Sequence, residues 1–289
     1  MELKPLTPQD YPDYKKYFKK QPYHLCTYSL SSIIAWQNSD YQAVAGIWKD
    51  TLIIAAEFRN TKSKRHLILP IAPPDIFPPE QLARIACDLD YAEYWFVPQS
   101  YLDIHGRDMV DVYFNVEHQQ EYDDYIYLTS DLADLKGNKY SKKRNLIKQF
   151  NRTHIEANRV EIDTITPKNL EECLDFLEKW CKERDCDANP EEDLACEKLA
   201  AINTLINMEL YEVNTLMLRI DGVVSAFGVS AFLTSQMATL QYEKAYTHIK
   251  GLSQYFDNQC AKRLFNGYTY INKESDMGSE GLAKAKKSY

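Results

Sequence analysis

The chain of 289 residues is 45% hydrophobic and 26% charged with a net charge of −8, the balance of a globular protein long enough for two ordinary domains. No stretch reaches the roughly eighteen consecutive apolar residues of a membrane span, and Met1-Glu-Leu-Lys-Pro5 lacks the apolar core of a secretion signal, so a cytoplasmic location is expected. Seven cysteines, with Cys26, Cys87 and Cys260 isolated, argue against a disulfide framework, and the cluster Cys173, Cys181, Cys186 and Cys196 has neither a Cys-x-x-Cys pair nor a nearby histidine to hold zinc.

In chain order, a short polar helix is expected over 10–20, then strands over 43–48, 52–58 and 66–71, the first two joined as a hairpin across Lys49-Asp50. Pro73-Pro74 and Pro78-Pro79 mark a loop before a helix over 80–89, followed by strands at 94–97, 112–116 and 125–128. The second half opens with a strand over 160–165 and a helix from Thr166-Pro167 to about 183, where Cys173 and Cys181 share an apolar stripe with Leu177 and Trp180 as core thiols. After an acidic loop come a helix over 194–210 and three strands over 214–220, 223–232 and 236–245, with a hairpin turn at Asp221-Gly222. A helix over 252–265, a strand over 268–271 and a helix over 280–288 complete the chain. Strand, two helices, three antiparallel strands, helix, strand, helix is the order of an acyltransferase fold built on a splayed central sheet.

Three segments carry a resemblance. Leu135-Lys-Gly-Asn-Lys-Tyr-Ser-Lys-Lys-Arg-Asn-Leu-Ile-Lys-Gln-Phe150, Glu243-Lys-Ala245 and the run from Ile271-Asn-Lys-Glu-Ser-Asp276 to Tyr289 resemble the domain of unknown function numbered 2156, a family similar to the C-terminal catalytic domain of bacterial phosphatidylglycerol lysyltransferases. The resemblance implies an α+β fold of two tandem acyl-CoA N-acyltransferase-like (GNAT) domains, each a central mixed sheet flanked by helices. They would span 1–134 and 159–289, joined by a basic linking helix over 135–158, with the active cleft in the second. It also implies transfer of an acyl or aminoacyl group, from aminoacyl-tRNA or acetyl-CoA, to an amine or hydroxyl on a small-molecule, peptide or lipid-like acceptor. The membrane segment of the lipid-modifying enzymes has no counterpart in this sequence. Where the family usually has His-x-Glu-Lys-Ala this chain has Gln241-Tyr242-Glu243-Lys244-Ala245, and Lys273 replaces a frequent arginine, which exchanges a forked donor for a point charge. Family members commonly continue past Ser288-Tyr289 into a last strand, so an incomplete final sheet is expected.

Acyl transfer needs an acceptor that loses a proton, a polarised carbonyl and a protonated leaving group. The resemblance puts Glu243 in the position of general base; the alternative is a plain ion pair with Lys244 or Lys273. Lys244 and Lys273 are candidate anion stabilisers, although neighbouring strand residues face opposite ways, so Glu243 and Lys244 share a pocket only across a bulge. Lys250, Gly251 and Leu252, at the amide end of a helix, and Asn272, Glu274 and Asp276, in a loop with Gly278 and Gly281, form the candidate cofactor-binding set, with turn and cap roles as the alternative.

From Lys136 to Arg152 there are seven basic residues and no acid. Lys139, Lys142 and Lys143 follow helical spacing and, with Arg144, make a candidate surface for tRNA or another anionic donor; the alternative is pairing with the eleven acids between Glu171 and Glu197. Scattered histidines and the absence of a Gly-x-Ser-x-Gly elbow leave hydrolase triads and metal sites unsupported. Acetyl-CoA-dependent N-acetylation and a non-catalytic module that binds RNA or another anionic ligand stand as the other readings.

Overall fold

The computed structural model describes residues 1–61, 64–72, 76–184 and 194–289, whose strands gather into two sheets with helices packed around both. The Pro73-Pro74 turn, Cys186 and the middle of the acidic stretch, all expected from sequence, lie outside the described residues.

The first sheet is antiparallel in the order β1 (Lys4–Pro5), β2 (Tyr41–Trp48), β3 (Thr51–Phe58) and β4 (His66–Leu67). Lys49 and Asp50 both take positive φ, the backbone that a two-residue hairpin turn requires. Alternation along the strands sorts the side chains. Ala43, Ala45 and Ile54 join the core formed with α1 (Tyr11–Phe18) and α2 (Leu30–Ala35), whereas Val44, Ile53 and Ala55 pack on Ile85 and Ala86 of α3 (Pro79–Asp88).

Two expected strands are not formed. Tyr94 makes a single bridge to Leu67, and Phe96 at φ 57° leaves the strand region. Residues 112–116 follow α4 (Gln99–His105) and α5 (Arg107–Asp111) as irregular chain. Their apolar side chains, Tyr94, Phe96, Val97, Phe114 and Val116, lie against the first core, so packing satisfies them without a ladder.

The second sheet has the order β5-β10-β9-β8-β7-β6, from β5 (Ile126–Leu128), β6 (Val160–Asp163), β7 (Asn214–Ile220), β8 (Val223–Thr234), β9 (Met237–Ala245) and β10 (Tyr270–Asn272). Between β5 and β6 lie α6 (Thr129–Asp134), α7 (Ser141–Phe150) and a π turn over Asn151–Ile155; α8 (Leu170–Arg184) and α9 (Leu194–Ile206) follow β6, and α10 (Leu252–Arg263) and α11 (Glu280–Lys287) flank β10. From β6 onward this is the strand and helix order of the acyltransferase fold. Because β5 pairs with β10, residues 126–128 belong to the second sheet. The first core also takes in Tyr211, Leu233 and Met237, which lie on the second half of the chain.

Two features of the second sheet place the site. Val229 faces Tyr242 while Ser230 faces Leu240, so Gln241 is an extra residue, a bulge. Before it Ala238 and Leu240 face α10; after it Tyr242 faces α8 and α9, which turns Glu243 toward α10 and Lys244 away from it. The parallel pairing of β9 with β10 then ends at Thr239 and Asn272, and the two chains part.

Two glycines admit the helices that crowd this end. A Cβ on Gly228, opposite Glu243, would fall 2.9 Å from Cys260 Sγ. Gly251 has φ +81° with the Leu146 carbonyl of α7 directly against it. Gly251→Ala is therefore expected to destabilise the fold by at least about 1–2 kcal/mol from the left-handed backbone alone, with the clash added. Urea unfolding checks this, and an unchanged midpoint would show that α7 does not press on α10 here.

Candidate active site

Four ionisable side chains from four segments meet where β9 and β10 part. Lys273, just past β10, lies 3.1 Å from Glu243 Oε2 and 2.5 Å from Asp257 Oδ1 of α10. Lys143 of α7 donates to Ser288 Oγ at 2.8 Å and stands 3.1 Å from the centre of the Tyr289 ring, which Lys273 also faces at 5.0 Å. Burial, and then the nearby Asp257 charge, hold the Tyr289 hydroxyl protonated well above its ordinary range. Asp257 is nearly closed to solvent, with 4% of its side-chain surface exposed, whereas Glu243 keeps 20% and can be reached.

Burial raises the cost of charge here, and the neighbours decide who bears it. Burial first, then the Asp257 charge, push the Glu243 carboxyl up to about 7 against the pull of Lys273. Burial opposes the charge on Lys273, but Asp257 and Glu243 together outweigh it and hold the ammonium above its ordinary range. Lys143 lacks such a close partner, and burial draws it down to about 8. A carboxylate near neutrality, reachable and gripped by a fixed cation, is equipped to accept a proton at physiological pH.

The ion pair weighed as the alternative for Glu243 is present, with Lys273. Lys244 is not brought to this cluster: it sits on the opposite face, 2.6 Å from Glu197 and 4.7 Å from the centre of the Trp180 ring. Asp257 escaped the sequence reading. Its one signal is a carboxylate beside Phe256 and three residues before Cys260, on the buried side of the helix.

The expected cofactor residues do not form one seat. Leu252 is core, its amide donating to Ile249 O; Gly251 is covered by α7; Lys250 is exposed. Asp276 is a turn residue, accepting from Gly278 N and from the Tyr125 hydroxyl at 2.6 Å. Asn272 is fully buried and ties the halves together, donating to His24 O at 2.9 Å and Asp124 Oδ2 at 2.7 Å while accepting from Glu274 N. Glu274 stands on the other side of the parting strands, at φ 59°, where burial pushes its carboxyl up to about 8. Lys286 of α11 clasps the chain beneath it, donating to the carbonyls of Lys273, Glu274 and Ser275.

The basic segment divides. Lys139 lies on a 3-10 turn ahead of α7 and pairs with Asp131; Arg144 donates to the carbonyls of Leu135 and Gly137; Lys142 is exposed; Lys143 turns inward. Among the described residues, its ion pairs run to Asp131 and Asp134 and not to the acids over 171–197, of which Glu172, Glu178 and Glu197 pair with Arg219, Lys198 and Lys244. No described helix is long and apolar enough to cross a membrane.

The sequence profile of the family described as phosphatidylglycerol lysyltransferase, C-terminal, matches residues 85–289. A conserved protein of unknown function from Bacteroides thetaiotaomicron VPI-5482 superposes with a TM-score of 0.87 at 29% identity, over 100% of this chain and 95% of that one. The C-terminal domain (DUF2156) of a lysylphosphatidylglycerol synthetase from Agrobacterium fabrum shares the fold, with a TM-score of 0.59 at 13% identity over 92% of this chain and 78% of that one. No curated protein matches the sequence.

The raised carboxyls have a consequence for stability. Glu243 at about 7 and Glu274 at about 8 hold a proton more tightly folded than at their ordinary 4.5. Their stabilisation is full below pH 4.5 and is lost as pH rises through about 8. The free energy of unfolding should fall across that window, and Glu243→Gln should remove the part of the fall completed near pH 7. Denaturant unfolding at several pH values measures it; equal slopes in wild type and variant would contradict the assignment.

Proposed function

The chain belongs to the phosphatidylglycerol lysyltransferase C-terminal family, and from that premise we propose that it transfers an acyl or aminoacyl group to an amine or hydroxyl acceptor. The observation that carries this reading is the Glu243 carboxylate, reachable, held near neutrality and gripped by Lys273 where β9 and β10 part.

Glu243 takes the proton from the acceptor nitrogen or oxygen as that atom attacks the acyl carbonyl. Lys273 holds the carboxylate in place and meets the negative charge that develops beside it. As the bond from carbonyl carbon to the donor oxygen breaks, the proton on Glu243 passes to the leaving group. Asp257 orients Lys273 and, by its own charge, keeps Glu243 basic enough to act.

An aminoacyl-tRNA is the donor that the surroundings favour. The segment that delivers Lys143 to the site also exposes Lys136, Lys142 and Lys148 on its outer side, and a polyanion would be drawn to them. Acetyl-CoA is the weaker candidate, because α7 covers the amide end of α10.

Thermal shift with charged tRNA, the same tRNA uncharged, and acetyl-CoA separates these donors. The charged tRNA is expected to stabilise most; stabilisation by acetyl-CoA alone would sink the aminoacyl reading. In a transfer assay with the donor so identified, Glu243→Gln should lower the rate by about 10²–10⁴-fold with the fold intact. Lys244→Gln should leave the transfer step within a few-fold of wild type, and the reverse ranking of the two variants would move the chemistry to the other face of the sheet.

A further inference from the structure

Lys143 is 9% exposed, yet the groups that touch its ammonium are neutral: Ser288 Oγ at 2.8 Å and the face of Tyr289 at 3.1 Å. Among the described residues it forms no ion pair, whereas Lys273 beside it forms two. Asp257 and Glu243 attract it from beyond contact, and Lys273 repels it. Burying an ammonium without a counter-charge in contact is costly, more so next to a second cation. A helix that merely linked two sheets would have no use for a charge in that position.

The two residues that follow α11, Ser288 and Tyr289, cover the ammonium. Among its described neighbours α11 buries none of its own residues. It is fastened by the Lys286 clasp, by the Tyr127 hydroxyl donating to Lys286 O at 2.8 Å, and by Ser288 and Tyr289 themselves. Met277 and Gly278, both at positive φ, lead into it. Lifting the Ser288-Tyr289 segment would uncover Lys143 and Lys273 beside the already reachable Glu243 and leave the sheet as it is.

We propose that Lys143 is an oxyanion subsite of the transfer cleft: its ammonium receives a carboxylate or phosphoryl oxygen of a substrate in the place that Ser288 and Tyr289 fill. This rests on the reading of the Glu243 cluster as a transfer site. It assigns that site a substrate class, one with an anionic group within a side chain's reach of the atom that reacts. Lys143 thus departs from its neighbours in the basic run, being a contact for one buried anion and not part of a surface for a polyanion.

The test needs no turnover, so it stands apart from the role of Glu243. In protein labelled with ¹³C at lysine Cε, the Lys143 signal is the one lost in Lys143→Arg. Inorganic phosphate and acetate are titrated in turn, and the pH midpoint of that signal is followed with and without each. A saturable shift is expected, with the midpoint rising by about 1–3 pH units, the effect of an opposite charge at contact. Tyr289→Ala should tighten the binding several-fold by clearing the place. Saturation by phosphate alone identifies a phosphoryl group and by acetate alone a carboxylate. No saturable shift with either, in wild type and in Tyr289→Ala, overturns the proposal, as does an equal shift at exposed Lys142.

Discussion

Two carboxylates and one ammonium drawn together below the surface, with Glu243 alone reachable, set the terms for everything around them. Glu243 and Asp257 repel each other, and Lys273 is the cation that makes their proximity tolerable. Such a cluster is not an economical way to stabilise a fold, since apolar groups of the same size would serve as well or better. Its retention in the interior argues for chemistry. The surroundings are arranged to keep it: the bulge at Gln241 turns Glu243 to the α10 side, Gly228 lets Cys260 and Phe256 approach behind it, and Gly251 lets α7 close over the start of α10.

The first half of the chain contributes by holding the parting strands apart. Asn272, the last residue of the β9–β10 pairing, is bonded to the chain at His24 and to Asp124, and Asp124 also accepts from Cys26 N. On the neighbouring strand Gln241 donates to Ser31 and Ser32 of α2. These bonds tie the segment over 24–32 to both strands at the point where they separate. The strained backbone of Glu274 follows from the same geometry, because the chain must leave β10 sharply while Lys286 gathers its carbonyls.

Much of the second sheet was legible because its strands are long and its turns carry strong signals, Asp221-Gly222 above all. The first half was less so. Runs such as 112–116 look like strands by composition, but Phe114 and Val116 are half-buried by packing on a neighbouring core while Val112 and Tyr113 stay exposed, which no local pattern records. The opposite orientation of Glu243 and Lys244 follows from strand alternation, whereas their actual faces depend on a bulge whose place is set by the pairing with β8. Asp257 was hidden for a different reason. An acid on the buried side of a helix looks like noise until a lysine from another strand is found 2.5 Å away.

The basic run from Lys136 to Arg152 shows why a charge pattern does not by itself specify a surface. Its positive charges serve three ends: Arg144 satisfies carbonyls at the end of α6, Lys136 and Lys139 pair with nearby acids, and Lys143 passes inward to the carboxylate cluster. The break between the 3-10 turn at Lys139 and the start of α7 rotates one lysine away from the next, so helical spacing in the sequence does not become a shared face. With Lys142 on the outside and Lys143 on the inside, one turn of α7 spans the distance from solvent to the neighbourhood of the Glu243, Asp257 and Lys273 cluster. A donor bound on the outer side and an anion held on the inner side would then bear on the same short helix. The Leu146 carbonyl of that helix lies against Gly251 at the start of α10, so α7 packs directly on the helix that carries Asp257, and Asp257 in turn pairs with Lys273 beside Glu243.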